Sequence, residues 1–538
     1  MVLSNTRFLL RSTLAIEKYL FLDGKPIIEA LIDLLWFRLA GGPISGDHSL
    51  TKNVLSKLDV PLLHGIHLSS KTVEEWLDSK HGVPPVEIVT TVVLPELDGR
   101  NEPIVTHAIR KKAVDGLRLE EYVAIEDRVE RMARRTAKWV NLRRKSNDKK
   151  KVAIILYDYP PGEENIGKAA YLNVFESLSR LLRALKDRGY IVPDIPSGKE
   201  LKDLFISAGI VNSGEWIQTR SMLEGMIKVS VEKYVEWLRE VPEKSLKRIL
   251  EEWGPPPGQI NVYGDSLLIP GLIFGNIFVG LQPSRGVHED YSKIYHDKDL
   301  PPHHQYLAFY KWIVKEFGAD AIIHLGTHGT LEFLPGKEVG LSSNCFPDIL
   351  IADIPNIYVY HAVNASESSI AKRRSYATIV NHASPPMMVS GLHGDFQEIE
   401  RLIAEYFDAL QYGREEADKI AEKILTRADN YGLGSSVEEV YDRIQEYKRS
   451  IIPRGLHVLG DRLSLEDSIQ YLAFLARYDR GEIPSIHRLI IESEGLNHAE
   501  ILEKPHQRDP RGRTYAEILS NTEEIVKNII KEHIINGS

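Results

Sequence analysis

Apolar and polar positions along this chain repeat with two periods, and where one gives way to the other marks the architecture. The all-apolar run VAIIL at 152–156 is followed by a loop rich in Pro and Gly, then by AAYLNVFESLSRLLRALKDRGY. There Leu172, Phe175, Leu178, Leu182 and Leu185 recur at helical spacing, with Gly189 as a stop. This predicts strand, loop and amphipathic helix. Farther along, INVYG, NIFVGLQPSRG, ADAIIHLGTHG and IYVYHAVNASE each read as a short apolar strand entering a Gly-rich or polar loop, with the helical pattern HQYLAFYKWIVKEFG between two of them. Such alternation predicts a largely parallel sheet whose loops gather at the carboxyl ends of its strands.

Outside this block the pattern changes. From about residue 395 it is amphipathic helix, as in FQEIERLIAEYFDALQYG and EEADKIAEKILTRADNYG. Toward the N-terminus, PIIEALIDLLWFRLAGG reads as a buried helix stopped by Gly41 and Gly42. VEIVTTVVLPELDG reads as a β-rich run meeting a Pro and a Gly turn. EDRVERMARRTAKWVNLRRKSNDKKK, 126–151, predicts a basic helix with Val129, Met132, Ala133 and Val140 packed inward. The expected fold class is α/β, with mostly parallel sheets and flanking helices in several domains and a mainly helical C-terminal part. The divisions expected are 1–145, 146–253, 254–394 and 395–538.

Composition narrows the function. With 43% apolar and 27% charged residues over 538 positions, the chain is an ordinary globular protein. A net charge of −9 leaves no basic footprint for nucleic acid. The most hydrophobic early segment is broken by Glu29, Asp33 and Arg38, so no membrane span is expected, and the absence of a signal-peptide pattern implies a cytoplasmic protein. The single cysteine, Cys345, excludes an internal disulfide and a thiolate cluster. A bound metal therefore takes His or carboxylate ligands.

The densest chemistry lies in HLGTHGTLEFLPGKEVG, where His324, His328 and Glu332 stand at four-residue intervals. Gly326 and Gly329 argue against one continuous helix, which places His324 at a strand end, His328 in the turn and Glu332 just beyond. Imidazole ligates or titrates near neutral pH and a glutamate takes a released proton, so the set fits a divalent metal or a proton transfer. A second histidine-rich stretch, QPSRGVHEDYSKIYHDKDLPPHHQY, holds His288, Glu289, His296, His303 and His304. Lys337 is a candidate for an anionic substituent. Asn364 and Glu367 lie at a strand end and have the spacing of a helix cap. Gly162, Gly167 and Lys168 match the spacing of a P-loop, but Ala169 replaces the Mg²⁺-binding hydroxyl, and Pro160 and Pro161 remove two phosphate-binding N–H groups. No ATP site is expected.

Taken in order, YDYPPGEENIGKAAYLNVFESL, GLQPSRGVHED, PPHHQYLAFY, HLGTHGTLEFLPGKEVGLS and HAVNASESSIAKRRSYATIVNHASPP resemble the large subunits of ATP-dependent tetrapyrrole metal chelatases. These are the N-type subunit of aerobic cobaltochelatase and the H subunit of magnesium chelatase. LDVPLLHGI, EEWLDSKHGVPPVEI, LPELDGRNEPIV and IPRGLHVLG extend the resemblance over most of the chain. It implies a ligase that inserts Co²⁺ into a metal-free corrinoid such as a hydrogenobyrinic acid diamide, in cobalamin biosynthesis. The alternatives are Mg²⁺ insertion into protoporphyrin IX in porphyrin biosynthesis, and a non-catalytic tetrapyrrole carrier. ATP is then hydrolysed by AAA+ partners acting with adaptor subunits, not by this chain. The roles implied are Glu332 as proton acceptor or metal guide, His324 and His328 as transient metal ligands or relays, and His288 and Glu289, with Lys337 and Asn364, as cavity lining. Family members are longer at both ends, so a central section is expected, completed by a companion chain.

Overall fold

The computed structural model describes residues 10–40, 48–114, 117–158, 166–167, 169–210, 225–286, 297–327, 329–361, 363–410 and 412–536. They fall into two compact units, Met1–Ala383 with Val458–Gly460 and Ser384–His457 with Asp461–Ser538. The first unit contains a four-stranded sheet in sequence order, β1 (Leu31–Asp33), β2 (Leu62–Thr72), β3 (Asn101–Val114) and β4 (Leu117–Ala124). Its first two pairings are parallel and the last antiparallel. A short helix, α1 (Val73–Asp78), leaves β2 through a capping box between Thr72 and Glu75. A long helix, α2 (Glu126–Arg144), follows β4.

Three local expectations give way here. The segment expected as a buried helix supplies β1 instead. Asp33 accepts the Leu35 N–H at 2.8 Å and lies 2.6 Å from Arg100 Nε, so tertiary pairing overrides helical spacing. Conversely, the β-rich run at 86–99 is helical from Pro85 to Leu97. Pro85 fits the first turn, and the Thr90 and Thr91 hydroxyls donate back to the Glu87 carbonyl, so the β-branched residues are accommodated without a strand partner. Along α2 the buried positions are Arg128, Met132 and Arg135, whereas Val129 is 40% exposed and Ala133 faces out.

The basic character of α2 is therefore internal. Arg128 and Arg131 hold the two oxygens of Asp348 at 3.1 and 3.0 Å, and the Tyr376 hydroxyl donates to the same carboxylate at 2.7 Å. Arg135 donates to Glu102 of β3 at 3.0 Å and stacks over the Tyr376 ring, 4.6 Å from its centre. Neighbouring guanidiniums keep Asp348 below the usual carboxylate range although burial opposes this. One helix thus joins the first sheet to the second by charges withdrawn from water.

That second sheet is formed by β5 (Val152–Leu156), β6 (Gly271–Phe274), β7 (Ile277–Leu281), β8 (Ala321–Leu325), β9 (Asn356–His361) and β10 (Ala377–His382), in the order β6-β7-β5-β8-β9-β10. All neighbours are parallel except β6 and β7. Strands on both sides of the expected division at 253/254 share this one sheet. Along β5, Val152, Ile154 and Leu156 pack against α3 (Val174–Asp187) and α4 (Gly198–Ser207), while Ala153 and Ile155 pack against α5 (His304–Trp312) and α6 (Phe346–Ile351). Burial on both faces explains the unbroken apolar run. A further helix, α7 (Ala365–Arg374), connects β9 to β10.

The second unit is mainly helical: α8 (Asp395–Ala409), α9 (Arg414–Asp429), α10 (Val437–Lys448), α11 (Leu465–Leu475), α12 (Ile486–Ser493), α13 (His498–Glu503) and α14 (Tyr515–Asn536). Among the described residues no helix is long and apolar enough to cross a membrane.

Glu102→Ala leaves the Arg135 guanidinium buried without its carboxylate and lowers the unfolding free energy by about 3–5 kcal/mol, measured by urea denaturation at pH 7. A loss below about 1 kcal/mol, the scale of an exposed pair, would contradict the internal role given to α2.

Candidate functional site

Parallel register sets His324 of β8 beside Tyr358 of β9, with ring centres 4.3 Å apart. Asn356 Nδ2 donates to the Ser375 carbonyl at 2.8 Å, which turns its Oδ1 toward His324 to accept from Nδ1–H at 3.0 Å. The other ring nitrogen lies 3.2 Å from the Tyr310 hydroxyl. Four-residue spacing on α5 brings Tyr306 and Tyr310 to the same face. Tyr310 donates to Gln282 Oε1 at 3.0 Å, Gln282 Nε2 donates to Tyr306 at 3.1 Å, and Tyr306 shares a 2.6 Å hydrogen bond with Thr330. Every member of this chain is buried. Burial pushes His324 down to about 3 against the opposing Asn356 hydrogen bond, so the imidazole is neutral.

At the end of this layer stands Glu332, in the 3₁₀ turn Leu331–Phe333, with no exposed surface. The Tyr358 hydroxyl donates to Oε2 at 2.7 Å and the Gly329 N–H to Oε1 at 3.3 Å. Loss of hydration dominates and raises its pKa to about 7, the hydrogen bonds from Tyr358, from its own backbone N–H and from Gly329 opposing and the Glu367 charge adding to the rise. Its backbone is fixed separately. Arg374, the last residue of α7, donates to the carbonyls of Glu332 at 2.6 Å and Gly336 at 3.3 Å, and also to those of Leu334 and Lys337. A Cβ at Gly329 would stand 2.3 Å from the Tyr358 hydroxyl, which explains a glycine before the carboxylate. The arrangement offers a neutral hydrogen-bonded wall and a carboxyl group balanced between its acid and base forms near neutral pH.

Of the candidate residues, His324 and Glu332 lie in this layer, whereas His288, Glu289, His296 and His328 fall outside the described residues. His324 Nδ1 is held by Asn356 and Nε2 faces the buried Tyr310 hydroxyl at 3.2 Å, which departs from an open metal ligand. Lys337 is directed elsewhere: its ammonium meets the carbonyls of Trp76, Leu77 and Ser79 at 2.6–2.9 Å and so closes the end of α1. Asn364 precedes α7 but makes no backbone cap; its amide donates to Glu367, which also accepts from Tyr360 at 3.2 Å. His303 caps α5, accepting the Tyr306 N–H at 3.2 Å, and His304 spans the Tyr234 hydroxyl and the Gly254 carbonyl, each at 2.9 Å. Cys345 is buried at the start of α6. Among the described residues no three His, Cys, Asp or Glu side chains are grouped to hold a metal ion.

The P-loop resemblance resolves in the backbone. Asp158 bridges to Ile166, and Gly167 N–H donates to the Tyr157 carbonyl at 3.0 Å, so Ile166 and Gly167 lie against the end of β5, while Gly162 and Lys168 fall outside the described residues. The following helix begins only at Val174, capped by Asn173. In a P-loop the lysine opens the helix and the preceding N–H groups face phosphate. Sequence reading missed Gln282, Tyr306, Tyr310, Tyr358 and Arg374. The tyrosines carry a signal: pairs in HQYLAFYKW and IYVYH put polar tips on faces that are otherwise apolar.

Comparison with known proteins matches residues 2–538 to the CobN/Magnesium Chelatase family model. The chain belongs to the CobN/magnesium chelatase family. Similar members include the chloroplastic magnesium-chelatase subunit ChlH of Oryza sativa subsp. indica, 36% identical over 89% of this chain and 35% of that subunit. The aerobic cobaltochelatase subunit CobN of Pseudomonas aeruginosa is 34% identical over 79% of this chain and 35% of its own length. Among solved structures, the catalytic subunit of cobaltochelatase from Mycobacterium tuberculosis superposes with a TM-score of 0.78 at 29% identity, covering 94% of this chain and 43% of that one. The family fold is thus the α/β architecture described above, and this chain spans about two fifths or less of the length of these relatives.

A carboxyl raised to about 7 in the native state and ordinary in the unfolded state binds its proton more tightly when folded. Its contribution to stability is therefore full below the unfolded value and is lost as pH rises from about 4.5 to about 7, by ~3 kcal/mol. Glu332→Gln removes this slope: its thermal midpoint exceeds the parent's at pH 8 and matches it at pH 4.5. Parallel pH profiles of the two proteins would contradict the buried, uncompensated carboxylate.

Proposed function

We propose that this chain carries the tetrapyrrole-handling part of a chelatase large subunit and that Glu332 is its proton acceptor. Replacing the two N–H protons of a free macrocycle by a divalent ion releases two protons per turnover. A base for this step works best with a pKa near the operating pH. The complete burial of the Glu332 carboxyl against the Tyr358 hydroxyl and the Gly329 N–H, which raises its pKa, is the observation that supports this reading within a family of metal chelatases. Glu332 accepts one proton, and His328, four residues before it in sequence, is assigned the second or a transient hold on the metal. His324 orients the wall through Tyr310 and its stacking on Tyr358. His288 and Glu289 complete the lining. ATP hydrolysis is assigned to AAA+ partners with adaptor subunits, consistent with Ala169 in place of a Mg²⁺-binding hydroxyl and a following helix that begins only at Val174, and a companion chain supplies the family regions outside this span.

Cobalt insertion into a hydrogenobyrinic acid diamide is the first assignment, because histidines surround the carboxylate in sequence and imidazole suits Co²⁺. One observation favours magnesium and protoporphyrin IX instead. Nδ1 of His324 is held by Asn356 and its Nε2 faces the Tyr310 hydroxyl at 3.2 Å, while Glu332 and Tyr358 present oxygen, the donor that Mg²⁺ prefers.

Titration of the purified chain with each metal-free macrocycle, followed by absorbance and Trp quenching, is expected to give saturable binding, and the preferred macrocycle chooses the metal. With ATPase partners present, Glu332→Gln binds the macrocycle normally but inserts metal at least ~100-fold more slowly, the usual cost of losing a general base. Equal insertion rates would remove Glu332 from the chemistry. Tight binding without insertion by the parent, even with partners and companion chain supplied, would make the protein a carrier.

A further inference from the structure

The carboxyl of Glu332 has no exposed surface, so a proton accepted there needs a way out before the group can accept another. Strand β9 supplies the geometry for one. Tyr358 and Tyr360 stand two residues apart on it, so both side chains leave the same face, roughly 7 Å from one another along the strand. They share one buried cluster with Ala371 of α7 and Ala377 of β10. The Tyr358 hydroxyl donates to Glu332 Oε2 at 2.7 Å, and the Tyr360 hydroxyl donates to Glu367 Oε2 at 3.2 Å. Neighbouring hydroxyls on one strand face thus end on two carboxylates.

The two carboxylates differ in their access to water. Glu367 lies half-buried in the first turn of α7, with Ala365 and Ser366 exposed beside it. The Asn364 amide also donates to Glu367 Oε2, which holds that oxygen against Tyr360. At the other end of α7, Arg374 donates to the Glu332 carbonyl at 2.6 Å, so the helix that carries Glu367 is tied to the turn that carries Glu332. The electrostatics agree with the geometry. Burial, then the Glu332 charge and then the Glu367 charge push the Tyr360 pKa up, and the Glu367 charge also adds to the rise at Glu332. Among the other groups around Glu332, Arg374 spends its guanidinium on backbone carbonyls, and burial keeps Tyr306, Tyr310 and Tyr358 neutral.

We propose that Glu367 is the outer carboxylate of a proton exit from Glu332, with the Tyr360 hydroxyl as the link between them. The O–H bond of protonated Glu332 breaks as the Tyr360 oxygen takes its proton, and the hydrogen that Tyr360 held passes to the Glu367 carboxylate, which releases it to solvent. The tyrosine stays neutral and Glu332 returns to its base form. Glu367 is a relay residue that acts through Glu332, and its place in turnover rests on the reading of Glu332 as the proton acceptor.

Stopped-flow infrared spectroscopy of the full chain tests the relay, with the Glu332 carboxyl band identified by its loss in Glu332→Gln. On mixing with D₂O at pH 5.5, below the Glu332 value of about 7, deuteration shifts that band. In Tyr360→Phe and in Glu367→Gln the shift is slower than in the parent by about tenfold or more, the scale on which removing a proton-transfer group is felt. Glu367→Gln also lowers the pH midpoint of the band, because a neighbouring negative charge is gone. With ATPase partners, macrocycle and metal supplied, both variants bind the macrocycle with the parent's affinity and have a lower kcat. A deuteration rate equal to the parent's in either variant, or an unmoved Glu332 midpoint in Glu367→Gln, would overturn the proposal. Normal metal insertion by Glu332→Gln would instead overturn the reading of Glu332 as the base, and the deuteration rates would still decide the relay.

Discussion

A carboxylate taken wholly out of water must find compensation or become protonated, and Glu332 is held at the balance point between the two. Hydrogen bonds from the Tyr358 hydroxyl, the backbone N–H of Glu332 itself and the Gly329 amide offset part of the lost hydration and leave the pKa near 7. A guanidinium on the carboxylate would hold the pKa low; here Arg374 grips the backbone carbonyl of Glu332 instead. That division lets the loop be rigid without fixing the charge of the group it presents.

Much of the first unit serves this placement. The parallel register of β8 and β9 sets His324 against Tyr358, and α5 lays Tyr306 and Tyr310 across the same face. Lys337, five residues beyond Glu332, ties the loop to the end of α1, and Trp76 returns a hydrogen bond to the Gly340 carbonyl at 3.2 Å. Helix α2 adds the arginine contacts to Asp348 and Glu102 that join the two sheets. Buried ion pairs contribute little net stability relative to apolar packing, but they penalise other arrangements of the same elements. A site that depends on the position of one hydroxyl has use for such enforcement.

The parallel sheet was legible because its strands are buried on both faces, so their apolar runs stand out and the Gly-rich loops after them mark the carboxyl edge. His324 and Glu332 stood out as candidates for the same reason. Helix α2 was misread in detail because helical spacing assigns the apolar residues inward, whereas the partners that draw Arg128 and Arg135 inside, Asp348 and Glu102, are distant in sequence. Lys337 looked like a ligand because its three carbonyl partners belong to residues 76–79, contacts that no local pattern records. The run at 86–99 was read as a strand from β-branched residues alone; Pro85 and the side-chain hydrogen bonds of Thr90 and Thr91 decided it otherwise.

Family membership places metal insertion in view, and the distinctive physical claim is that burial keeps one carboxyl of the family fold close to neutral pKa. Infrared difference spectroscopy between the protein and Glu332→Gln isolates that group directly. A protonated carboxyl band present at pH 5.5 and replaced by carboxylate bands with a midpoint near pH 7 is the predicted result. Carboxylate bands already complete at pH 5.5 would show an ordinary surface-like glutamate and contradict its role as a neutral-pH base.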